Sequence, residues 1–467
     1  MSERSQYDIV VVGAGSGGYA AARTARELGA KVGIVDRGPL GGLCILRGCM
    51  PSKALLASSD RVQSMRTAVA LGLTGGEPRI DMPFIAARKR ALVGEFAADR
   101  IDGIERFPLH RGNARFLSPT QLQVGNDLLE AERFIIATGS SIAPPAIPGL
   151  AESGYLDSDA VLELERIPES AIVLGGGYVG CELGQFLARM GTHTQIAIRS
   201  EHLLSGADTD IGEALTEAFR NEGIAVHTRS RMLSVRKERG VRILRLERDG
   251  IGLDIDAEEI FYCLGRVPNI EGLDLERAGV EAHNVRGIAV DGTMRTTNPN
   301  IYAIGDVTGS YLLVHVAIYE GELAARNAVT AGAERADYRL QRSHTIFTEP
   351  QIAVAGATEK ELLADGVAFV SGRYAFAEHG KAMCLGKTDG FVKMLASRED
   401  GRILGASCIG PEASELIHEV IVAMHFGATA EQFAKIPHLH PTLAEIWTYP
   451  AEECAEKLGA MAVGVLN

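Results

Sequence analysis

Two cysteines, Cys44 and Cys49, stand close together in the stretch "GGLCILRGCMPSKALL", at the start of a helical pattern. Cysteines at such short spacing either bind a metal ion or form a redox-active disulfide. The flanking glycines, Gly41, Gly42 and Gly48, allow backbone to approach a bound ring closely. The pair alone does not decide between a metal site and a redox site, so the rest of the chain must.

Residues 8–36 and residues 171–199 follow the same plan of an apolar strand, a glycine-rich turn, a helix and a second apolar strand. The glycines of a G-x-G-x-x-G turn let backbone N–H groups approach a pyrophosphate at the start of a helix. One such turn can be a simple tight connection, whereas two complete βαβ segments predict two bound dinucleotides. Asp36 ends the first segment, where a carboxylate can accept hydrogen bonds from ribose hydroxyls. The turn glycines are Gly13, Gly15 and Gly18 in the first segment and Gly175, Gly177 and Gly180 in the second.

Two dinucleotides on one chain indicate electron transfer between them, which favours the redox interpretation of Cys44 and Cys49. A disulfide beside a bound dinucleotide can accept electrons from it and pass them on by thiol exchange. A zinc site would need further His or Cys ligands at short spacing, and none follows near the pair. We therefore predict a redox-active pair and no metal site.

The composition is that of an ordinary globular chain of 467 residues, with 46% apolar and 23% charged residues. A net charge of −13 argues against a nucleic-acid partner, and no apolar run approaches the ~20 residues of a membrane span. The N-terminal sequence enters a strand pattern almost at once, which leaves no room for a signal peptide, so we expect a cytoplasmic protein. Seven cysteines spread along the chain do not resemble a secreted disulfide framework.

Five further motifs identify a resemblance: "CILRGCMPSK", "ATGSS", "GRVPN", "AIGDVTG" and "HLHPTLAE". Together with the two glycine turns, they resemble the pyridine nucleotide–disulfide oxidoreductases, the family of dihydrolipoamide dehydrogenase, glutathione reductase and mercuric reductase. The resemblance implies an α/β fold with two Rossmann-like dinucleotide-binding domains and a C-terminal α+β dimerisation domain. It implies FAD in the first domain, NAD(P) in the second, and a homodimer.

The resemblance also divides the chain into four parts. Residues 1–143 are the first part of the FAD-binding domain, and residues 271–341 are its second part, which folds back beside the first. Residues 144–270 form the NAD(P)-binding domain, after a proline-rich crossover at residues 144–149. Residues 342–467 form the dimerisation domain.

Roles for individual residues follow from the same resemblance. Cys49 is expected against the flavin and Cys44 toward the substrate. Lys53 is expected near the flavin N5, paired with Glu182, although the two residues could form an ordinary ion pair. Tyr178 matches an aromatic residue that covers the flavin until the nicotinamide arrives. The remaining cofactor-binding residues expected from the motifs are Thr138, Gly139, Gly265 and Asp306, the last of which binds the ribityl chain.

The motif "HLHPTLAE" holds a candidate acid–base pair, His440 and Glu445. Pro441 suits a first helical position, which predicts a helix from this proline with Glu445 on its next turn. A carboxylate there can orient an imidazole, although a helix cap with a satisfied histidine is the alternative. The family resemblance implies the acid–base pair, acting on the disulfide of the other subunit.

The substrate is less clearly indicated, because three positions near the cysteines depart from the family pattern: Leu43, Leu46 and Arg47. The sequences "PSKALL" and "HPTLAE" most resemble those of dihydrolipoamide dehydrogenase. A lipoyl disulfide is therefore the first expected substrate, and a low-molecular-weight thiol disulfide is the second. The chain lacks the C-terminal Cys-Cys pair of mercuric reductase. The alternatives are a flavin reductase acting on quinone, oxygen or metal, and a docking subunit of a multienzyme complex.

The second βαβ segment predicts NADPH, with NADH as the alternative. NAD sites of this fold usually end the second strand in Asp or Glu, which repels a 2′-phosphate. Ile198 stands at that position, and Arg199 follows it with a guanidinium suited to phosphate. A second arginine found in glutathione reductases is Ser205 here.

Overall fold

A computed structural model describes the backbone of residues 4–464 and the side chains of residues 4–459. Residues 1–3 and the end of the predicted dimerisation domain lie outside the described residues. The α-helices are α1 (Ser16–Glu27), α2 (Gly42–Arg47), α3 (Cys49–Thr67), α4 (Met82–Glu105), α5 (Leu150–Ser153), α6 (Ser158–Leu162), α7 (Tyr178–Arg189), α8 (Thr209–Asn221), α9 (Val314–Thr330), α10 (Tyr338–Gln341), α11 (Glu359–Ala364), α12 (Gly380–Leu385), α13 (Ala413–His425), α14 (Ala430–Ala434) and α15 (Thr448–Gly464). Short 3-10 helices span Ala68–Leu71, Leu275–Ala278, Gly305–Thr308, Phe376–Glu378 and Ala444–Trp447.

The strands follow the chain in the order β1 (Arg4–Val12), β2 (Val32–Asp36), β3 (Leu109–Arg111), β4 (Ala114–Ser118), β5 (Gln121–Val124), β6 (Asp127–Ile136), β7 (Ser140–Ile142), β8 (Ser170–Leu174), β9 (His193–Ala197), β10 (Ala225–His227), β11 (Arg231–Glu238), β12 (Val241–Arg248), β13 (Ile251–Ala257), β14 (Glu259–Tyr262), β15 (Arg266–Pro268), β16 (Ala282–His283), β17 (Gly287–Ile288), β18 (Ile301–Ala303), β19 (His344–Ile346), β20 (Gln351–Gly356), β21 (Phe369–Ala375), β22 (Phe391–Ser397) and β23 (Ile403–Gly410). The described chain divides into two compact units. The first unit contains residues 1–54, 86–144 and 265–341, and the second contains residues 55–85, 145–264 and 342–467.

The first unit is built on a mixed sheet with the strand order β3-β2-β1-β6-β5-β4. Strands β3, β2, β1 and β6 pair in parallel in that order, and β5 is antiparallel to both β6 and β4. Strand β18 pairs in parallel with the end of β6, with Ile301 opposite Phe134. Residues 9–12 of β1 and residues 32–35 of β2 are buried runs without polar side chains, as expected of parallel strands covered on both faces. Residues 301–303 therefore extend the sheet that the N-terminal residues begin.

The second unit contains three sheets. Strands β10-β9-β8-β14 form a parallel sheet, β11-β12-β13 form an antiparallel meander, and β19-β20-β23-β22-β21 form a five-stranded antiparallel sheet. The C-terminal sheet packs its apolar face against α13 and α15, around the fully buried Trp447. The division of the chain into four domains stays a prediction.

No helix within residues 4–464 is both long and apolar enough to cross a membrane.

Helices α1 and α9 of the first unit cross where each carries a glycine. A Cβ atom on Gly321 would lie 2.4 Å from the backbone oxygen of Gly17, and one on Gly17 would lie 2.7 Å from the backbone oxygen of Ala317. Only glycine lets the two backbones approach this closely, since backbone atoms cannot move aside as a side chain does. The crossing joins a helix of the predicted second part, residues 271–341, to the first helix of the chain.

We predict that Gly321→Ala lowers the Tm by about 3–10 °C, because overpacking at a backbone contact costs about 1–3 kcal/mol. Gly94→Ala is the matched control, since Gly94 is an exposed residue of α4 with open space around its Cβ position. That control should leave the Tm unchanged or raise it, as alanine favours a helix over glycine. Equal Tm values for the two variants, measured at one scan rate, would contradict the close helix crossing.

Candidate functional site

The first glycine turn lies between β1 and α1, and its three glycines have three different surroundings. Gly13 adopts a φ of +107°, and a Cβ atom on it would lie 2.3 Å from the oxygen of Ala137. A Cβ on Gly18 would lie 1.9 Å from the oxygen of Gly13, so this glycine permits close packing of helix on strand. A Cβ on Gly15 would meet no protein atom closer than 4.0 Å, so its backbone faces open space. The turn therefore presents bare backbone at the start of α1, as pyrophosphate binding requires.

Asp36, the last residue of β2, is fixed beside this turn. One of its carboxylate oxygens accepts a hydrogen bond from the backbone N–H of Ala14 at 2.8 Å, and the other accepts from Gly38 at 2.6 Å. Each oxygen keeps a further lone pair for a ribose hydroxyl. The carboxylate is thus oriented before any ligand arrives.

A cavity of about 800 Å³ in the first unit joins the glycine turn to the two cysteines. Its bare backbone at Gly15 and Gly139, where a Cβ would meet open space, fits a large dinucleotide such as FAD. The predicted site residues among its lining are Gly13, Gly15, Gly18, Asp36, Cys44, Cys49, Thr138, Gly139 and Asp306. Nine predicted residues, from the first βαβ segment and three further motifs, thus meet in one cavity.

The motifs "ATGSS" and "GRVPN" interlock through side-chain hydrogen bonds and the pairing of β7 with β15. Thr138 donates from Oγ1 to the backbone oxygen of Asn269 at 2.7 Å, and Asn269 donates from Nδ2 to the oxygen of Thr138 at 2.9 Å. These bonds hold Thr138 and Gly139 at the cavity. Gly265, which begins the second motif, lies in this unit with a φ of +110°.

Sequence reasoning missed two residues that hold Asp306: its direct partner Ser140, and Arg266, which is a partner of Ser140. Ser140 donates from Oγ to Oδ2 of Asp306 at 2.6 Å, and Arg266 donates from Nε to Oγ of Ser140 at 2.8 Å. Both partners belong to motifs that were recognised as whole stretches, "ATGSS" and "GRVPN". The serine hydroxyl and the arginine cation fix the carboxylate of Asp306 toward the cavity by a charge-assisted chain.

The two cysteines lie on either side of Gly48, between α2 and α3. Cys44 belongs to α2 and is half-buried, and Cys49 begins α3 and is exposed. A Cβ on Gly48 would lie 3.2 Å from the Cα of Cys44, so the connection is tight. A hydrogen bond between the two cysteine side chains, and next the burial of Cys44, raise the pKa of the Cys44 thiol. Both effects disfavour the thiolate form of Cys44.

Arg100, on α4, is a second residue that sequence reasoning missed. Its guanidinium lies 4.8 Å from the ring centre of Tyr19, and its Nη1 is buried without a hydrogen-bond partner among residues 4–459. Burial lowers the pKa of Arg100, while the nearby Tyr19 and Cys44 raise it. The positive charge of Arg100 in turn lowers the pKa of Cys44. No motif contains Arg100, and only the folded chain brings it to the cysteine.

The second glycine turn, in the second unit, repeats the geometry of the first. Gly175 adopts a φ of +112°, and a Cβ on Gly180 would lie 2.3 Å from the oxygen of Gly175. A Cβ on Gly177 would meet open space. The bare backbone at the start of α7 therefore fits a second dinucleotide pyrophosphate.

The register of the second βαβ segment identifies the residue equivalent to Asp36. Val12 of β1 pairs with Val35, and Leu174 of β8 pairs with Ala197. The residue after Ala197 is Ile198, which is buried, and Arg199 beyond it is exposed. An apolar side chain thus occupies the place that holds a carboxylate in the first unit.

The other predicted residues of the second unit have their own contacts. Tyr178, the first residue of α7, is 44% exposed, stacks on His344 at 5.4 Å between ring centres, and approaches its Nε2 within 3.0 Å through the hydroxyl. Glu182 is buried and accepts from the backbone N–H of Phe347 at 2.9 Å. Lys53 follows Cys49 by one turn of α3 in the first unit. The pairing of Lys53 with Glu182 stays a prediction.

His440 and Glu445 are brought together, with Nδ1 of the imidazole 2.9 Å from Oε2 of the carboxylate. The helix predicted to begin at Pro441 is wrong, because the region forms a 3-10 helix at Ala444–Trp447 and α15 begins at Thr448. Thr442 replaces the first helical turn, since its hydroxyl donates to the oxygen of Leu439 at 2.7 Å and accepts from the N–H of Glu445 at 3.4 Å. A turn closed by the side chain of Thr442 therefore brings His440 and Glu445 together.

No group of three or more His, Cys, Asp and Glu side chains within the described part of the chain is placed to hold a metal ion.

We predict that Arg100→Met raises the pKa of Cys44 by up to about 1 unit, because loss of the cation removes a stabilising charge from the thiolate. The measurement is the pH dependence of iodoacetamide alkylation of Cys44 in the reduced protein, read by peptide mass spectrometry. Arg100→Lys keeps the charge and is the control, which should titrate close to wild type. An unchanged alkylation midpoint in Arg100→Met would contradict the electrostatic contact.

Comparison with known proteins agrees with this geometry. Residues 7–321 match the model of the pyridine nucleotide-disulphide oxidoreductases, and residues 343–451 match the dimerisation domain of the same family. The chain is 35% identical to the dihydrolipoyl dehydrogenase of Geobacillus stearothermophilus over 453 residues, covering 95% of each chain. It is also 35% identical to the mercuric reductase of Streptomyces lividans over 449 residues, covering 94% of each.

A solved structure shares the fold. LpdA from Mycobacterium tuberculosis superposes with a TM-score of 0.85 at 27% identity, covering 96% of this chain and 99% of that one. The family, the fold class and the two cofactors predicted from the motifs are confirmed by these matches. The chain therefore belongs to the pyridine nucleotide-disulphide oxidoreductase family and is a flavoprotein oxidoreductase that uses FAD and NAD(P)H.

Proposed function

We propose that this enzyme reduces a small or lipoyl disulfide with NADPH through the pair Cys44 and Cys49. The observation that carries the proposal is the shared cavity, in which both cysteines lie with the first glycine turn and Asp36. FAD bound there supplies the transfer of two electrons from NADPH to the cysteine disulfide. A pair incidental to the chemistry has no reason to line the cavity that fits the flavin.

The thiol steps follow from the positions and charges of the residues. Reduction opens the Cys44–Cys49 disulfide, His440 takes the proton of the Cys44 thiol, and the resulting thiolate attacks the substrate disulfide to form a mixed disulfide. The first substrate thiolate leaves and takes a proton from His440, which Glu445 orients at 2.9 Å. The thiolate of Cys49 then attacks the sulfur of Cys44, which restores the protein disulfide and releases the second substrate thiolate, and that thiolate takes a proton from solvent. Atoms and electrons balance, with one disulfide reduced for each NADPH oxidised.

The dimerisation domain supports a homodimer. Within it, we assign His440 and Glu445 of one subunit to the cysteines of the other. The exposure of the His440 side chain, 79%, supports this assignment, because a histidine that serves its partner must project from its own subunit.

A lipoyl group is our first candidate for the substrate, since relatives of this length and identity include several dihydrolipoyl dehydrogenases. A low-molecular-weight thiol disulfide is the second candidate. The rival activities are reduction of a quinone, oxygen or a metal by the flavin without the cysteines, and service as a docking subunit.

The test is NADPH oxidation by the purified FAD-loaded enzyme with lipoamide, lipoic acid, glutathione disulfide, cystine, mercuric ion and a quinone. We expect Cys44→Ser to lose disulfide reduction by at least about 100-fold while quinone reduction stays near wild type, because only the disulfide route needs the attacking thiolate. The reduced wild-type enzyme should show a long-wavelength absorbance band that Cys49→Ser lacks. Disulfide reduction that survives in Cys44→Ser, or wild-type activity confined to the quinone, would reject the proposal.

The preference for NADPH is supported by the residues after β9. A buried Ile198 offers neither a hydrogen bond to a ribose 2′-hydroxyl nor repulsion of a 2′-phosphate. The exposed Arg199 next to it offers a guanidinium fork for phosphate oxygens. NADH is the alternative, because a single exposed arginine can also be a solvated surface residue.

We predict that Arg199→Ala weakens NADPH binding by about 10- to 100-fold, the effect of one charge-assisted contact, and leaves NADH binding nearly unchanged. KM values for both nucleotides check this. Arg231→Ala is the control, an arginine of β11 in the same unit whose side chain is 73% exposed. A wild-type preference for NADH, or an equal loss of affinity for both nucleotides in Arg199→Ala, would reject the NADPH assignment.

A further inference from the structure

His379, a residue outside all the motifs, is buried behind the acid–base pair. It lies between the 3-10 helix Phe376–Glu378 and α12, and its side chain is 1% exposed. Its ring meets the ring of Tyr449 edge-on at 6.4 Å between centres, and Tyr449 stacks on Tyr374 at 3.9 Å. Tyr374 in turn donates from its hydroxyl to the backbone oxygen of Glu378 at 3.1 Å. The imidazole is therefore held in one orientation by packing.

The carboxylate of Glu445 lies between two imidazoles. Its Oε2 is 2.9 Å from Nδ1 of His440, and its Oε1 is 3.5 Å from Nε2 of His379. Neither ring nitrogen of His379 has a hydrogen-bond partner among residues 4–459. A buried donor without a partner costs about 1–3 kcal/mol, so the one carboxylate within reach is its natural acceptor. Catalytic hydrogen bonds are often long in unliganded enzymes and shorten when the reacting complex forms.

The surroundings of His379 determine its charge. Burial lowers the pKa of His379, Glu445 opposes that effect, and His440 lowers the pKa further. Tyr449, a further titratable residue, meets the imidazole with its ring. His379 is therefore neutral at neutral pH and stays neutral when His440 takes a proton. A neutral imidazole has one N–H to donate, and only Nε2 faces the carboxylate.

We propose that His379 is a positioning residue of the acid–base pair, which directs its Nε2–H at Oε1 of Glu445 and thereby tunes the basicity of His440. This inference rests on the proposed role of His440 in disulfide exchange. The hydrogen bond fixes the carboxylate so that Oε2 faces His440, and it withdraws part of the negative charge from that oxygen. His440 then binds its proton less tightly and returns it more easily to the leaving thiolate.

The sign of the effect follows from this charge sharing. Without the N–H of His379, the whole charge of Glu445 acts on His440, which favours the imidazolium. His379→Leu should therefore raise the pKa of His440 by about 0.5–1 unit. His379→Gln places an amide N–H near the position of Nε2, so it should keep the pKa of His440 near the wild-type value.

The pKa of His440 can be measured without any substrate. Diethyl pyrocarbonate reacts with the unprotonated imidazole, and its rate at His440 across pH, read by fragment mass spectrometry in the FAD-loaded enzyme, gives the pKa directly. His202→Leu is the control for loss of a buried histidine, because His202 is also buried but hydrogen-bonds to the backbone oxygen of Leu203. The melting temperature reports any structural effect of each variant separately.

Three outcomes decide the matter. A raised pKa of His440 in His379→Leu, with His379→Gln and His202→Leu near wild type, supports the proposal. An unchanged or lowered pKa in His379→Leu overturns it, and so does an equal rise in His379→Gln. The acid limb of kcat/KM for dihydrolipoamide oxidation by NADP⁺ should shift with the titration. If dihydrolipoamide is not oxidised by wild type, the lipoyl assignment fails, while the titration still tests His379.

Discussion

The carbonyl oxygen of Gly13 occupies the space that a side chain at residue 18 would need, and the first unit depends on that contact. A Cβ on Gly18 would lie only 1.9 Å from this oxygen, so any other residue there would push α1 away from β1. With α1 held close, its first N–H groups face the cavity and the carboxylate of Asp36 reaches the turn at Ala14. Every polar contact expected of the flavin phosphates and ribose depends on this approach of helix to strand.

The second unit uses the same backbone with different chemistry at one position. Both βαβ segments have the same strand register and the same packing of the third glycine on the first. Asp36 follows the paired strand residues in one segment, and Ile198 follows them in the other. The shared backbone binds what all dinucleotides have in common, whereas the side chain at the end of the second strand distinguishes their riboses. The nucleotide preference therefore depends on one side chain rather than on the shared backbone of the two segments.

Features that depend on local backbone could be read from the sequence. The two glycine turns, the βαβ segments and the closeness of Cys44 to Cys49 were predicted, because each depends on residues only a few positions apart. The meeting of "ATGSS" with "GRVPN" was not predicted, because it joins residues 131 positions apart in the chain. Arg100 and His379 belong to no motif, and only tertiary packing places them. The helix expected at Pro441 failed because the hydroxyl of Thr442 closes a turn that competes with helical hydrogen bonds.

The crossing of α1 and α9 at Gly17 and Gly321 has a consequence for the order in which the protein is made. The first helix of the chain packs on a helix that ends at Thr330, and between them the ribosome must synthesise residues 145–264 of the other unit. The apolar surface of β1 and α1 that α9 covers therefore stays exposed while a complete βαβ segment of the other unit is synthesised and can fold. Contacts so distant in sequence form slowly, and unfinished sheet edges aggregate readily. During translation, the flavin-binding unit therefore begins first and cannot complete this helix crossing until α9 has emerged.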